Sequence, residues 1–280
     1  MNRFERDTQI EMLGDGTFQV EIDRGWWIVR GPNGGYIAAL LLRALEAAVD
    51  DPARIPRSLT VHFTSPPAAG AAIVQTSIER AGRSLTTASA RLEQDGKLRA
   101  LAVAAFSTPR PGPEFDHLSM PDVPPPEACE IAPGPGEGII SLRQRYESRH
   151  ALGAPPFGDT TGQAVAGVGD TTGQAVAGGW IRLAEDPGPI DAALLAAYSD
   201  AWPPAIFTYP GREAIAAGVP TVDLTVHFRA PYPAEADPRD PVLVVFRSHY
   251  SRDGFVEEDG EIWTREGRLL VQCRQLAVVG

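Results

Sequence analysis

Four places along the chain hold residues whose type and setting suit chemistry. The segment 268–279 alternates like a strand, with Leu269, Val271, Cys273, Gln275 and Ala277 on one face and Leu270, Gln272, Arg274, Leu276 and Val278 on the other. Gln275 therefore shares the more apolar face, and a buried amide is costly unless it is given hydrogen-bond partners, either in an active site or on a backbone carbonyl. Asp200 closes an Ala/Leu-rich segment that Trp202, Pro203 and Pro204 prevent from continuing. A carboxylate there meets the negative end of the helix dipole, and burial near Trp202 raises its pKa further, as suits a general base; an exposed loop Asp is the plain alternative. Gly34 and Gly35 precede another helical run, where amides at a helix N-terminus can receive an oxyanion or the glycines can simply permit close packing. His62 and His227 stand beside Thr60 and Thr225 in identical contexts, which a shared sheet surface explains more simply than acid–base work. His117, His150 and His249 share no motif spacing with one another or with carboxylates, so no metal site is expected.

These residues need a scaffold, and the chain shows how it is made. Leu-Thr-Val-His-Phe occurs at Leu59 to Phe63 and again at Leu224 to Phe228, each copy followed three residues later by Pro66 or Pro231. Matching pentapeptides with matching punctuation point to one structural unit, duplicated and fused. Residues 35–49 read as a helix apolar on nearly every side except at Arg43 and Glu46, hence buried. Strand-like segments follow at 57–64, 71–79, 84–93 and 97–106, with a turn at Asp95-Gly96. The second unit repeats the plan: a helix from Ile190 to Ser199, a strand from Thr221 to Phe228, further strands near 241–249, 255–265 and 268–279, and turns at Asp259-Gly260 and Glu266-Gly267. The expected division is a unit at 1–106, a Pro/Gly-rich linker at 107–179, and a second unit at 180–280. Inside the linker, Gly-Asp-Thr-Thr-Gly-Gln-Ala-Val-Ala-Gly occurs at 158–167 and again at 169–178, read as a surface-loop insertion rather than a ligand loop.

Composition narrows the function. With 280 residues, 43% hydrophobic and 22% charged, the chain is ordinary globular material. A net charge of -11 argues against general nucleic-acid binding, which needs clustered Lys and Arg. No apolar run approaches the ~20 residues of a membrane span and no signal-peptide core follows the start, so a cytoplasmic place without membrane attachment is expected. Cys129 and Cys273, one in a proline-rich stretch and one in a strand, suggest neither a disulfide framework nor a cysteine metal site.

Gly31-Pro32-Asn33-Gly34-Gly35-Tyr36, Arg83-Ser84 after Gly82, Gly254-Phe255-Val256-Glu257-Glu258-Asp259-Gly260 and Arg274-Gln275-Leu276-Ala277, ordered in a duplicated frame, resemble the thioesterase-like superfamily related to acyl-CoA thioesterase II. That resemblance implies an α+β tandem double hotdog, with two antiparallel sheets each wrapped around a central helix. It also implies hydrolysis of an acyl-CoA thioester without metal or organic cofactor, by a water that Asp200, Thr221 and Gln275 position. Thr221 fits a regular pleat poorly, since alternation groups it with Asp223, Thr225 and His227 opposite the apolar face; it follows Pro220, and Thr225 is its rival. Gly34, Gly35, Tyr36, Trp27 and Arg83 are the candidate substrate-binding residues, Trp26 and Trp27 lining an acyl tunnel or capping the core. Arg30 and Arg229 are further candidates for the anionic CoA. The rival activities are a hotdog hydratase or dehydratase, disfavoured because no His stands at either helix start, and a non-catalytic acyl-chain binder. The fused pair is expected to form its own pseudo-dimer, with further self-association open.

Overall fold

In the computed structural model, which describes residues 1–132, 141–153, 174–185, 188–209 and 218–279, the first half runs α1 (Arg3–Asp7), β1 (Ile10–Gly14), β2 (Thr17–Ile22), α2 (Gly34–Val49), β3 (Ile55–Phe63), β4 (Gly70–Ala81), β5 (Leu85–Gln94) and β6 (Lys97–Ser107). The second runs β7 (Tyr146–Leu152), β8 (Ala175–Leu183), α3 (Ala192–Tyr198), β9 (Thr221–Phe228), β10 (Val242–Ser248), β11 (Ser251–Arg252), β12 (Phe255–Trp263) and β13 (Leu269–Val278).

Helix α2 forms because its 16 residues are mostly Ala and Leu behind a strong cap. Asn33 Oδ1 accepts the Tyr36 N–H at 3.1 Å, and Asp50 ends the helix in the left-handed region at φ 47°. Leu40, Leu41, Leu42 and Leu45 are wholly buried, each stabilising the fold by roughly 1.5–3 kcal/mol. Only Gly fits at position 35, since a Cβ there would lie 2.5 Å from the Ala197 carbonyl oxygen of α3. Arg43 of α2 pairs with Asp191, the N-cap of α3, at 2.7 Å.

The duplicated pentapeptides pair with each other. In the antiparallel β3–β9 ladder Leu59 faces Val226, Thr60 faces Thr225 and Val61 faces Leu224, with the two threonine Oγ1 atoms 3.1 Å apart. This is what a pseudo-twofold axis requires, because an isologous edge matches a patch with its own copy. It also corrects the expectation of two sheets. Among the described residues there is one 13-stranded sheet, ordered β1-β2-β4-β5-β6-β3-β9-β13-β12-β10-β8-β7, with β11 beside β12. Joining at β3 and β9 removes two free edges that separate sheets would expose.

The proline-rich stretch from 108 to 125 contains no helix or strand, but β7 and the first part of β8 form inside the segment read as linker. Strand β7 is polar for its position because its charges are paired across the ladder and along it, Glu147 with Arg182 at 2.6 Å and with Arg149 at 3.0 Å. The end of the second tandem copy, Ala175 to Gly178, belongs to β8; residues 158–173 lie outside the described residues. Asp259-Gly260 is not a turn but the middle of β12. Its glycine is there for want of a Cβ, which would collide with Cys273 Sγ and the Phe246 ring. The turn is Asp253-Gly254, with φ 56° and 77°.

Candidate active site

On β13 the inward face carries Cys273, Gln275 and Ala277, as alternation requires, and Gln275 is 6% exposed. Its neighbours in register are Glu258 of β12 and Leu224 of β9. Both ends of the amide are engaged, with one N–H left over: Gln275 Nε2 donates to Glu258 Oε1 at 2.6 Å, and Gln275 Oε1 accepts the Thr221 hydroxyl at 2.9 Å. Thr221 reaches that face because the ladder slips. Leu276 faces Asp223 while Ala277 faces Thr221, so Val222 is an extra residue in β9. A bulge of this kind reverses the alternation beyond it, which is why a regular pleat points Thr221 the wrong way. Its rival Thr225 is held at the seam with Thr60.

Asp200 follows α3 directly, Ser199 being the C-cap. Its carboxylate turns away from the negative end of that helix and meets the positive end of α2. Oδ2 accepts Asn33 Nδ2 at 2.8 Å and the Gly35 N–H at 3.1 Å, and Asn33 Nδ2 also donates to the Asp200 carbonyl at 2.6 Å. Burial pushes the carboxyl up to about 6, the amides of Gly35 and Gly34 and the Asn33 side chain holding it down only in part. It is a carboxylate at neutral pH with a pKa near the useful range for proton transfer. Asp200 and the Gln275 pair face one interior. The Ser199 carbonyl beside Asp200 lies 3.8 Å from Cys273 Sγ, two residues from Gln275 on the same face. Glu258 is raised to about 7, chiefly by burial, with the Asp200 charge adding to it.

The other named residues divide. Gly34 belongs to the site, since a Cβ there would sit 2.9 Å from Asp200 Oδ2 and 3.0 Å from the Phe63 ring. The Gly35 amide, a candidate oxyanion donor from sequence, is taken by Asp200. Tyr36 is wholly buried, its ring stacked on Trp26 at 5.1 Å and its hydroxyl donating to the Asp7 carbonyl at 2.8 Å. That places Tyr36 and Trp26 in the core of the first half. Trp27 is 9% exposed beneath the Arg24 guanidinium, 5.2 Å from its ring centre. Arg83 is exposed in the turn between β4 and β5, and its carbonyl accepts from Arg54. Arg30 is exposed, and Arg229 bonds Gln272 at 2.8 Å. His62 and His227 are exposed on the polar face. His249, Glu257 and Asp259 bring ligand atoms within 4.8 Å of one another. Glu257 there accepts the backbone N–H groups of His249 and Tyr250, and Asp259 is paired with Arg274.

Two residues in contact with the trio carry signals that were open to sequence reading. Asn33 stands immediately before the helix, the position where an Asn caps. Glu258 shares alternation with Val256, Gly260 and Ile262, so a carboxylate falls on an apolar face.

Helix α2 thus packs on the antiparallel sheet and against α3, and Gln275 links Thr221 to the buried acid Glu258. The chain belongs to the acyl-CoA thioesterase family: the profile of the acyl-CoA thioesterase C-terminal domain matches residues 126–279 and that of the N-terminal domain residues 23–108. Among solved structures it is similar to a Thermobifida fusca protein described as a candidate thioesterase II (28% identity, TM-score 0.81, covering 100% of this chain and 98% of that one). It is also similar to an Alicyclobacillus acidocaldarius protein of unknown function with a hot dog fold (26%, TM-score 0.80, 100% and 98%). A thioesterase-like protein of Talaromyces wortmannii is 36% identical over 97 residues, a match spanning 34% of this chain and 28% of that protein.

Proposed function

We propose that this protein is an acyl-CoA thioesterase that hydrolyses an acyl-CoA to free acid and CoA through a water held by Asp200, Thr221 and Gln275. The observation that supports the reading is that the Asp200 carboxylate is fixed by Asn33 and Gly35 and follows Ser199, whose carbonyl lies 3.8 Å from Cys273 Sγ on the strand face that also carries Gln275 and its Thr221 hydrogen bond. Asp200 takes a proton from the water as its oxygen adds to the thioester carbonyl. The tetrahedral intermediate collapses with cleavage of the carbon–sulfur bond, and the proton passes to the departing CoA thiolate. Thr221 and Gln275 orient the water, the hydroxyl offering lone pairs and the amide its second N–H.

Gly34, where a Cβ would crowd the Asp200 carboxylate, and Trp27, seven residues earlier, are proposed for the acyl group, and Arg83 for CoA phosphates. The family match and the similarity to a candidate thioesterase II support the reaction class. Among the described residues no helix is long and apolar enough to cross a membrane, which accords with a soluble acyl-CoA substrate met in the cytoplasm.

A panel of acyl-CoAs followed by release of free thiol tests the reading. Wild-type turnover and a ~10²–10⁴-fold loss of kcat in Asp200→Asn, with the fold intact, are expected. A thermal shift with acyl-CoA but no thiol released identifies a non-catalytic binder instead.

A further inference from the structure

One buried carboxylate has no part in the hydrolysis just described. Glu258 is 5% exposed, and both its oxygens are taken by neutral donors: Oε1 accepts Gln275 Nε2, and Oε2 accepts the backbone N–H of Ala205, in the turn after Pro203 and Pro204. A glutamine here would turn its amide nitrogen, a donor, to one of these two donors, whereas a carboxylate accepts from both, at the cost of burying a charge; that cost calls for a reason.

The reason lies in the shape of a glutamine amide. Its oxygen and nitrogen ends are nearly the same size, and a half-turn exchanges an acceptor for a donor. In one orientation Gln275 receives the Thr221 hydroxyl and turns a free N–H to the interior; in the other it presents its oxygen there and a nitrogen to Thr221. A carboxylate can only accept, so it selects the first. Resting on the hydrolytic reading above, we propose that Glu258 is a positioning residue that locks the Gln275 amide with its nitrogen toward β12, so that Thr221 and Gln275 present an acceptor and a donor to the attacking water.

The lock opens on protonation, because a Glu258 carboxylic acid can donate to the amide oxygen and so tolerates the wrong orientation. The groups that face it are Asp200 beyond α3, Cys273 on β13 and Glu257 on its own strand, together with the Ala205 amide. The charges on Asp200 and Glu257 both favour the protonated form, and Asp200 and Glu258 titrate as a coupled pair. Two protons must leave before the wild-type site is competent; only one must leave when residue 258 is neutral.

The test is Glu258→Gln in the full chain, assayed on whichever acyl-CoA the wild type turns over. Its kcat is expected to fall ~10–100-fold with KM within about twofold, and the slope of log kcat against pH on the acid side to drop from nearly two to one. A variant with kcat within twofold of wild type and an unchanged acid slope would overturn the proposal. Should the variant not fold, the side-chain amide resonances of Gln275 in the 15N-labelled wild type decide: a shift tracking a titration between about pH 6 and 8 is expected, and a flat response refutes the lock. That measurement needs no turnover. If the wild type hydrolyses no acyl-CoA, the hydrolytic reading fails while the amide titration still reports on Glu258.

Discussion

The two halves place different residues on nearly the same ladder. Where Leu224 of β9 faces Gln275, its counterpart Leu59 of β3 faces Ala104; where Gln275 faces Glu258, Ala104 faces Ala88. Even the slip recurs. Pro56 faces Phe106 across a register shift as Thr221 faces Ala277, so Pro56 occupies the place of the site threonine. The polar trio of the second half, Thr221, Gln275 and Glu258, is thus answered by Pro56, Ala104 and Ala88, and both alanines are almost wholly buried. The helices differ in the opposite sense, 16 residues in α2 against seven in α3. The first half has the longer helix and gives the proposed site the capped end of it, while the second carries Thr221, Gln275 and Glu258. A duplicated frame lets one copy hold polar residues at ladder positions where the other holds proline and alanine.

The sharpest way to break that contrast is to make the halves alike. Ala88→Glu places a carboxylate where no Gln275 and no Ala205 amide receive it. It should destabilise the protein by about 3–5 kcal/mol at pH 8, measured by denaturant unfolding, and less at pH 5, where the acid is neutral. The reverse change probes the cost borne by the second half. Asp200 and Glu258 sit at about 6 and about 7 against ordinary values of 3.8 and 4.5, so the folded protein holds protons that the unfolded chain releases. Their contribution to stability is fully present below about pH 4 and lost as pH rises through 6 to 7, by up to roughly 3 kcal/mol for either group alone. The difference in unfolding free energy between wild type and Asp200→Asn should therefore grow in favour of the variant from pH 4.5 to pH 8, and a constant difference would refute the buried-acid assignment. At the seam the effect is smallest. A double-mutant cycle on Thr60→Ala and Thr225→Ala should give a coupling of about 0.5–1 kcal/mol, since both hydroxyls lie at the partly buried join.

Much of the frame was open to reading because its strands alternate and its helices are dense in Ala and Leu: β3 to β6, β9 and β13 fall where the pattern sets them, and Gln275 faces inward as expected. Thr221 was harder, because a one-residue bulge leaves no mark in the sequence around Val222. Asp200 was readable as a residue near a helix end, but not as the guest of a different helix, since its partners are more than 160 positions away. Glu258 was visible in the alternation of β12 and obscured by the Asp-Gly dipeptide that follows it. Strands β7 and β8 were missed because paired charges in the one and a repeat of small residues in the other hide the period.

The hydrogen bond from Asn33 to Asp200 has a consequence for the history of the gene. Under the proposed reading the acid of one copy is held by an amide of the other, so neither copy by itself contains the whole of the proposed site, and the two must be inherited together.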